Sequence, residues 1–377
     1  MEFIDLGAQQ KLIREKIESN IKKVLDHGKY IMGPEVGELE EKLADFVGVK
    51  YAVGCSSGTD ALLMSLMVYG IGPGDYIITT PFTFIATVEV ISLLGVKPVF
   101  VDIDEKTYNI DPRKIEEFLN NPIDHATKKA IELSKIKGII PVDIFGLPAD
   151  YDEINRIAKK YNMFVIEDAA QSFGAEYKGK KTCSLTKIGC TSFFPAKPLG
   201  CYGDGGMIFT DNEEIAQKLV SIRVHGKGKN KYDNVRIGIN GRLDTIQAAI
   251  LLAKFEIFPE EINLRQKIAE RYNNALKDKF YLQVVTEEYK SVWAQYSIRP
   301  KENNREYYLS LLKSNNVPTA IYYPKPLYLQ EPFRSLMYNK EDFLVSEKCS
   351  GDIFSLPFYQ YIDEINQSFI ITLLLKL

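Results

Sequence analysis

The chain has 377 residues, of which 45% are hydrophobic and 26% charged, with a formal net charge of −3. This is the composition of a soluble globular protein with ample apolar material for a large core, in one large domain or two. No basic stripe or long block of like charge supports nucleic-acid binding, and no apolar run reaches membrane-spanning length. Five scattered cysteines (Cys55, Cys183, Cys190, Cys201, Cys349) include no CxxC pair and suggest neither a disulfide framework nor zinc. The start, Met-Glu-Phe-Ile-Asp-Leu, lacks the basic and apolar regions of a signal peptide, so a cytoplasmic protein is expected.

Residues 8–26 carry Ile13, Ile17, Ile21 and Leu25 at helical spacing and predict an amphipathic helix. A second helix is expected over 34–47. Short strands at 51–54, 76–80, 98–101, 137–142 and 163–166 then alternate with helical patterns, two of them at 60–69 and 84–94. Such alternation predicts an α/β fold, a mostly parallel mixed sheet flanked by helices on both faces, to which 188–193 and 206–210 add strands. The polar stretch 120–137 reads as an inserted surface helix or loop, with His125 a solvated loop histidine. A long helix runs from Gln247 toward Phe258 and another covers 260–276. Strand patterns restart at 281–286, 292–299 and 319–323, and the apolar 369–375 fits a helix or strand on the last domain. The expected organisation is a large α/β domain, 1–249, followed by a smaller α+β domain, 250–377. No internal repeat is present.

One segment concentrates the chemistry. Lys197 lies in Ser-Phe-Phe-Pro-Ala-Lys-Pro-Leu-Gly (192–200), followed by Cys-Tyr-Gly-Asp-Gly-Gly. Most of the 47 Lys and Arg residues are surface charges. Lys197 differs because Pro195 and Pro198 keep its segment out of a helix, and Gly200, Gly203, Gly205 and Gly206 permit close backbone approach. Upstream, the apolar run 163–166 ends in Glu167-Asp168. A carboxylate at a strand end and a lysine in a rigid loop are what pyridoxal phosphate (PLP) needs: the amine forms a Schiff base with the aldehyde, and the carboxylate pairs with the pyridine nitrogen. Glu167 should point away from Asp168, since neighbours on a strand alternate faces. Cys55-Ser56-Ser57-Gly58-Thr59 follows a strand and opens a helix, where unpaired N–H groups receive a phosphate. An ordinary N-cap turn has the same residues, so that alternative stays open.

Six blocks occur in a fixed order: Gly-Thr-Asp-Ala-Leu (58–62), Pro-Phe-Thr-Phe-Ile-Ala-Thr (81–87), Glu-Asp-Ala-Ala-Gln-Ser-Phe-Gly-Ala (167–175), 192–200, Gly-Asp-Gly-Gly (203–206) and Asn-Gly-Arg-Leu-Asp-Thr-Ile-Gln-Ala-Ala (240–249). Through them the chain resembles the DegT/StrS-type nucleotide-sugar aminotransferases, PLP enzymes of the aspartate-aminotransferase fold (fold type I). Phe-Ile-Asp-Leu near the start and Cys-Thr-Ser-Phe-Phe-Pro resemble most the members that aminate a UDP-linked 3-keto-N-acetylhexosaminuronic acid, a precursor of surface polysaccharide. The resemblance implies that Lys197 is the Schiff-base and proton-transferring lysine, with Asp168 on the ring nitrogen. It places Gly58, Thr59 and Ser192 at the phosphate and Gln171 beside the ring. Phe84 would stack on the ring, although core packing explains a phenylalanine there equally. Asn240 would reach across a homodimer to the neighbour's phosphate, so that active sites are shared. Arg242 would hold a uronate carboxylate or a diphosphate, the alternative being a surface salt bridge. Tyr322 and Tyr323 fall where many relatives carry His-Tyr and contact substrate, and Asp143 stands where many carry His. The implied partners are a nucleotide-sugar substrate and glutamate as amino donor, with no nucleic acid and no membrane. Other keto-deoxysugars on dTDP or UDP, and a non-catalytic sensor, are the alternatives. A sugar dehydrase would carry His in place of Lys197, and a nicotinamide oxidoreductase would need GxGxxG after the first strand.

Overall fold

The computed structural model describes residues 1–230, 232–302 and 305–376. Its centre is a sheet of seven strands: β1 (Tyr51–Cys55), β2 (Tyr76–Thr79), β3 (Lys97–Phe100), β4 (Ile136–Ile139), β5 (Phe164–Asp168), β6 (Ile188–Ser192) and β7 (Gly206–Thr210). They lie in the order β1-β7-β6-β5-β4-β2-β3. β7 runs antiparallel to β1 and β6, and every other pairing is parallel. Strands buried on both faces need apolar side chains at successive positions, which is why these segments read as short apolar runs. Along β7, Met207 and Phe209 enter one core and Ile208 the opposite one.

Helices cover both faces. α1 (Leu6–His27) and α2 (Pro34–Val47) precede the sheet, and α3 (Gly58–Val68), α4 (Ala86–Leu93), α5 (Pro112–Asn120), α6 (Tyr151–Lys160) and α7 (Glu213–Ile222) connect its strands. α3, α4 and α7 share a core with Val53, Ile77, Ile166 and Ile208. On the opposite face α2 and α8 (Thr245–Phe255) pack with Met207 and Phe209, and α5 and α6 with Val99, Ile139 and Val165. The apolar stripe of α1 runs through Ile17 to Val24, whereas Leu25 is exposed. α4 starts two residues later than expected, at Ala86.

α9 (Phe258–Leu276) leads into three antiparallel strands, β8 (Phe280–Leu282), β9 (Tyr296–Pro300) and β10 (Phe354–Leu356), with β9 in the middle. α10 (Arg305–Ser314), α11 (Leu344–Asp352) and α12 (Glu364–Leu375) complete this part. Its core joins Ile268, Tyr272 and Leu276 to Tyr308, Leu312, Ile370 and Leu373, whereas Phe258 and Ile262 at the start of α9 belong to the core under the large sheet. The 369–375 stretch is thus helical.

Three expectations need correction. The 120–137 stretch is neither a helix nor an open loop. It holds a hairpin, Ile123–Asp124 with Lys129–Ala130, then a 3-10 turn, Leu133–Lys135. His125 lies 4.4 Å from the Tyr338 ring and 3.5 Å from an Asp342 oxygen rather than free in solvent. Residues 319–323 form only one bridge, Ala320 with Ser355; Pro318, Pro324 and Pro326 lack the N–H groups a ladder needs. The expected 292–299 strand begins at Tyr296, because Trp293 takes a left-handed backbone conformation. All five cysteines are buried and unpaired. Among the described residues no helix is long and apolar enough to cross a membrane, and no cluster of His, Cys, Asp or Glu is placed to hold a metal.

Candidate active site

The sheet gathers the site at one edge. β1, β5 and β6 end there at Cys55, Asp168 and Ser192, and the register sets Cys190 of β6 beside Asp168 of β5. C-terminal strand edges are where open α/β sheets bind ligands, because loops and helix N-termini converge on them.

Asp168 is 3% exposed. Its carboxylate accepts from the Thr87 hydroxyl at 2.7 Å and from the Ala170 N–H at 3.2 Å. Burial pushes its pKa up, while Thr87, Ala170 and the nearby Lys197 charge pull it back. Glu167 does point the other way. It accepts from the Cys183 and Leu185 N–H groups at 2.5 and 3.1 Å, tying the 183–185 turn under the sheet.

Lys197 is half-buried in the β6–β7 loop. The loop is held by Lys197 N–H to the Phe194 carbonyl at 2.8 Å and Cys201 N–H to the Phe193 carbonyl at 2.8 Å. The Lys254 ammonium, itself buried, adds a bond to the Gly200 carbonyl at 2.5 Å. Burial depresses the Lys197 pKa and Asp168 opposes that. A desolvated lysine facing a carboxylate keeps more of the neutral, nucleophilic amine than one in water.

The turn into α3 is shaped by contact. Ser57 caps the helix by accepting from Asp60 N–H at 3.0 Å, and no hydrogen bond joins the Gly58 or Thr59 N–H to another described residue. A Cβ on Gly58 would sit 2.6 Å from the Ser192 Cβ, and one on Gly206 would collide with the Ser57 carbonyl oxygen. Gly58, Thr59 and Ser192 are therefore brought together with two helix N–H donors uncommitted. Gln171, also buried, accepts from Phe145 N–H at 2.8 Å and donates to the Tyr323 hydroxyl at 3.1 Å. Tyr323, far along the chain, thus joins the cluster, with its pKa raised by burial. Tyr322 is half-buried, with its ring 6.4 Å from Phe3.

Phe84 is 56% exposed, three residues before Thr87, while Phe82 is fully buried against Tyr323. The core-packing role belongs to Phe82 and leaves the Phe84 ring available. Gly241 accepts from Ser56 N–H at 3.2 Å, which seats the 240–242 loop against the Ser56–Thr59 turn. Arg242 makes no ion pair among the described residues, and its Nε is buried without a partner. Asn240 is exposed, and no described hydrogen bond ties its side chain to the Asp168–Lys197 cluster. Thr87 was not singled out from the sequence. On an apolar helix a threonine reads as core filler, and only the fold shows its hydroxyl on Asp168.

Residues 11–374 match the DegT/DnrJ/EryC1/StrS aminotransferase family. A Pseudomonas aeruginosa protein named UDP-2-acetamido-2-deoxy-3-oxo-D-glucuronate aminotransferase is 50% identical over 364 residues, 96% of each chain. A Brucella abortus aminotransferase structure superposes with a TM-score of 0.94 at 46% identity, covering 99% of this chain and 98% of that one. A Bacillus subtilis structure with bound cofactor PMP does so with a TM-score of 0.89 at 30% identity, covering 99% and 84%. With a match across nearly its whole length and half its residues shared with one member, the chain belongs to the DegT/DnrJ/EryC1/StrS aminotransferase family.

Proposed function

We propose that the chain is a PLP-dependent aminotransferase that moves an amino group from glutamate to the 3-keto group of a UDP-linked 2-acetamido-2-deoxyhexuronic acid. The observation that carries the reading is the buried Asp168 facing Lys197 beside a narrow cradle of Gly58, Thr59 and Ser192. These residues fit the cofactor. Two helix N–H groups without partners suit a phosphate, and a Cβ on Gly58 would fill the space between that turn and Ser192. Asp168 would hold the ring nitrogen, Gln171 would flank the ring and Phe84 would cover it.

When bound, PLP supplies an electron sink for the carbon that loses or gains a proton. Lys197 would supply the amine that holds the cofactor and the base that moves the proton at the donor or sugar carbon. Burial lowers its pKa, against the pull of Asp168, and so raises the share of neutral amine. Asp168 stays ionised when a positive ring nitrogen faces it, because an adjacent cation offsets its burial. Arg242, with a buried and uncommitted Nε, is read as the fork for an anionic group of the sugar nucleotide. Tyr322 and Tyr323 are read as part of the sugar wall.

The chain is further read as a homodimer in which Asn240 serves the partner's phosphate. Its exposed position, apart from its own cluster, supports this. A smaller second domain is supported by the separate C-terminal core of Ile268, Tyr272 and Ile370, whereas Leu251, Phe258 and Ile262, beyond the expected boundary at 249/250, pack in the core under the large sheet. A cytoplasmic setting fits five unpaired thiols. The test is spectroscopic. PLP-loaded protein treated with glutamate should change its absorbance, and the UDP-3-keto-hexuronate should restore it. Restoration by a neutral dTDP-keto sugar alone would replace the substrate assignment. No change with glutamate would favour a sensor.

A further inference from the structure

Asp143 is the residue at this edge that the mechanism above leaves without a task. It stands just beyond β4, 0% exposed. Three neutral donors converge on its carboxyl group: the Tyr151 hydroxyl at 2.7 Å and the Ala149 N–H at 2.9 Å on one oxygen, and the Ser172 hydroxyl at 2.7 Å on the other. Its own N–H donates to the Asp168 carbonyl at 3.1 Å. Two residues on, the Phe145 N–H holds the Gln171 amide oxygen. Asp143 and Phe145 thus grip consecutive residues, Ser172 and Gln171, of the turn that leaves Asp168. A closed circuit results: Asp168 to Asp143 through the backbone, Asp143 to Ser172 through side chains, and Ser172 back to Asp168 along the chain.

No lysine, arginine or histidine forms an ion pair with Asp143 among the described residues. The ionisable groups that face it are Glu167 and Asp168 from β5, Tyr151 from α6 and Cys183 from the turn under the sheet; Lys197 faces Asp168 instead. The three donors offset part of the cost of burying a charge there, but the neighbouring carboxylates add to that cost and no cation stands beside Asp143 to remove it. We propose that Asp143 is a positioning residue that acts as a neutral acid, clamping the Gln171–Ser172 turn so that Gln171 and Asp168 meet the cofactor ring, and leaving Asp168 as the charged carboxylate of this edge. The hydrogen bonds allow it. A proton on the oxygen facing Ser172 would reverse that bond, so that the Ser172 hydroxyl accepts instead of donating, while the other oxygen keeps both of its donors. Burial pushes the Asp143 pKa up to about 7 against the pull of the Ser172, Ala149 and Tyr151 donors, with Asp168 adding to the rise.

The proposal rests on the PLP reading, and the experiment separates the two. PLP is titrated into full-length wild type and into Asp143→Asn, Asp143→Ala and Ser172→Ala, following affinity and the absorbance of the bound cofactor. Asparagine reproduces the neutral acid: its amide N–H₂ donates to Ser172 and its oxygen accepts from Tyr151 and Ala149. Asp143→Asn should keep wild-type affinity within ~3-fold and the wild-type spectrum. Asp143→Ala should weaken PLP by ~10-fold or more and shift the spectrum, as expected when buried donors lose their acceptor. Ser172→Ala should weaken PLP in the same direction, and the double alanine variant should be no worse than Asp143→Ala.

The pH dependence of unfolding gives a second readout. A carboxyl whose folded pKa is raised contributes stability that is complete below its unfolded pKa, ~3.9, and is lost as pH rises through about 7. Asp143→Asn should therefore gain stability relative to wild type between those pH values. An asparagine variant as damaged as the alanine one would overturn the neutral-acid role, and so would an unchanged pH profile. Alanine variants that bind PLP like wild type would overturn the clamp. If Asp143→Ala does not fold, Asp143→Asn and Ser172→Ala decide. Wild type that binds no PLP would instead defeat the functional reading itself.

Discussion

Gly58→Ala tests the phosphate cradle through a single atom. The added Cβ would lie 2.6 Å from the Ser192 Cβ, about 1 Å inside the ordinary carbon–carbon contact of ~3.5–4.0 Å. Both neighbours are constrained: Gly58 opens α3, and Ser192 ends a strand paired on both sides. Overpacking of this kind costs ~1–3 kcal/mol. Replacing glycine by alanine within a helix returns at most ~1 kcal/mol. The free protein can relieve the remainder by letting the turn move away from Ser192, but a bound phosphate needs the two together. The net ~1–2 kcal/mol should then appear as PLP affinity weakened by ~5–30-fold, at 1.4 kcal/mol per tenfold. Titration of PLP against the fluorescence of Trp293, the only tryptophan, measures it. Ser192→Gly removes the clashing carbon, so Gly58→Ala should cost less in that background than in wild type. Wild-type affinity in Gly58→Ala, or an equal cost in both backgrounds, would refute the cradle.

Two further outcomes are expected. Asp168→Asn keeps the shape but removes the charge, and turnover should fall at least ~100-fold, the scale of losing a group aimed at developing charge; a near-wild-type rate would assign the carboxylate another task. Mixing inactive Lys197→Ala and Asn240→Ala subunits should restore activity if sites are shared, because one site of the heterodimer then carries neither lesion. No recovery despite demonstrated subunit exchange would mean that each chain completes its own site.

Much of this was legible before any fold was drawn. β5, β6 and β7 are short apolar runs, and a carboxylate at the end of one followed by a lysine between prolines is a local pattern with a chemical meaning. The opposite directions of Glu167 and Asp168 followed from strand alternation alone. What was hidden depends on contacts between distant segments. Thr87 reaches Asp168 across 81 residues of chain, and nothing in its own helix marks it. The choice between Phe82 and Phe84 as the core ring needed to know which one the later Tyr323 covers. The 319–323 segment has strand composition, but its flanking prolines outweigh it. The hairpin at 123–130 is only two residues deep on each side, too short for a periodic signal.

The bond between Gln171 and Tyr323 spans 152 residues of chain. The large sheet, with Asp168 and the Lys197 loop, has its last strand by Thr210. A ribosome adding ~5–20 residues per second needs about 6–23 s to travel from Thr210 to Tyr323. Through that interval the nascent chain has its lysine loop and strand-end carboxylate but lacks the aromatic wall that backs Gln171. The pocket is thus finished by the last third of the polypeptide, and a chain truncated before Tyr323 would keep the lysine but lack the hydroxyl that backs Gln171.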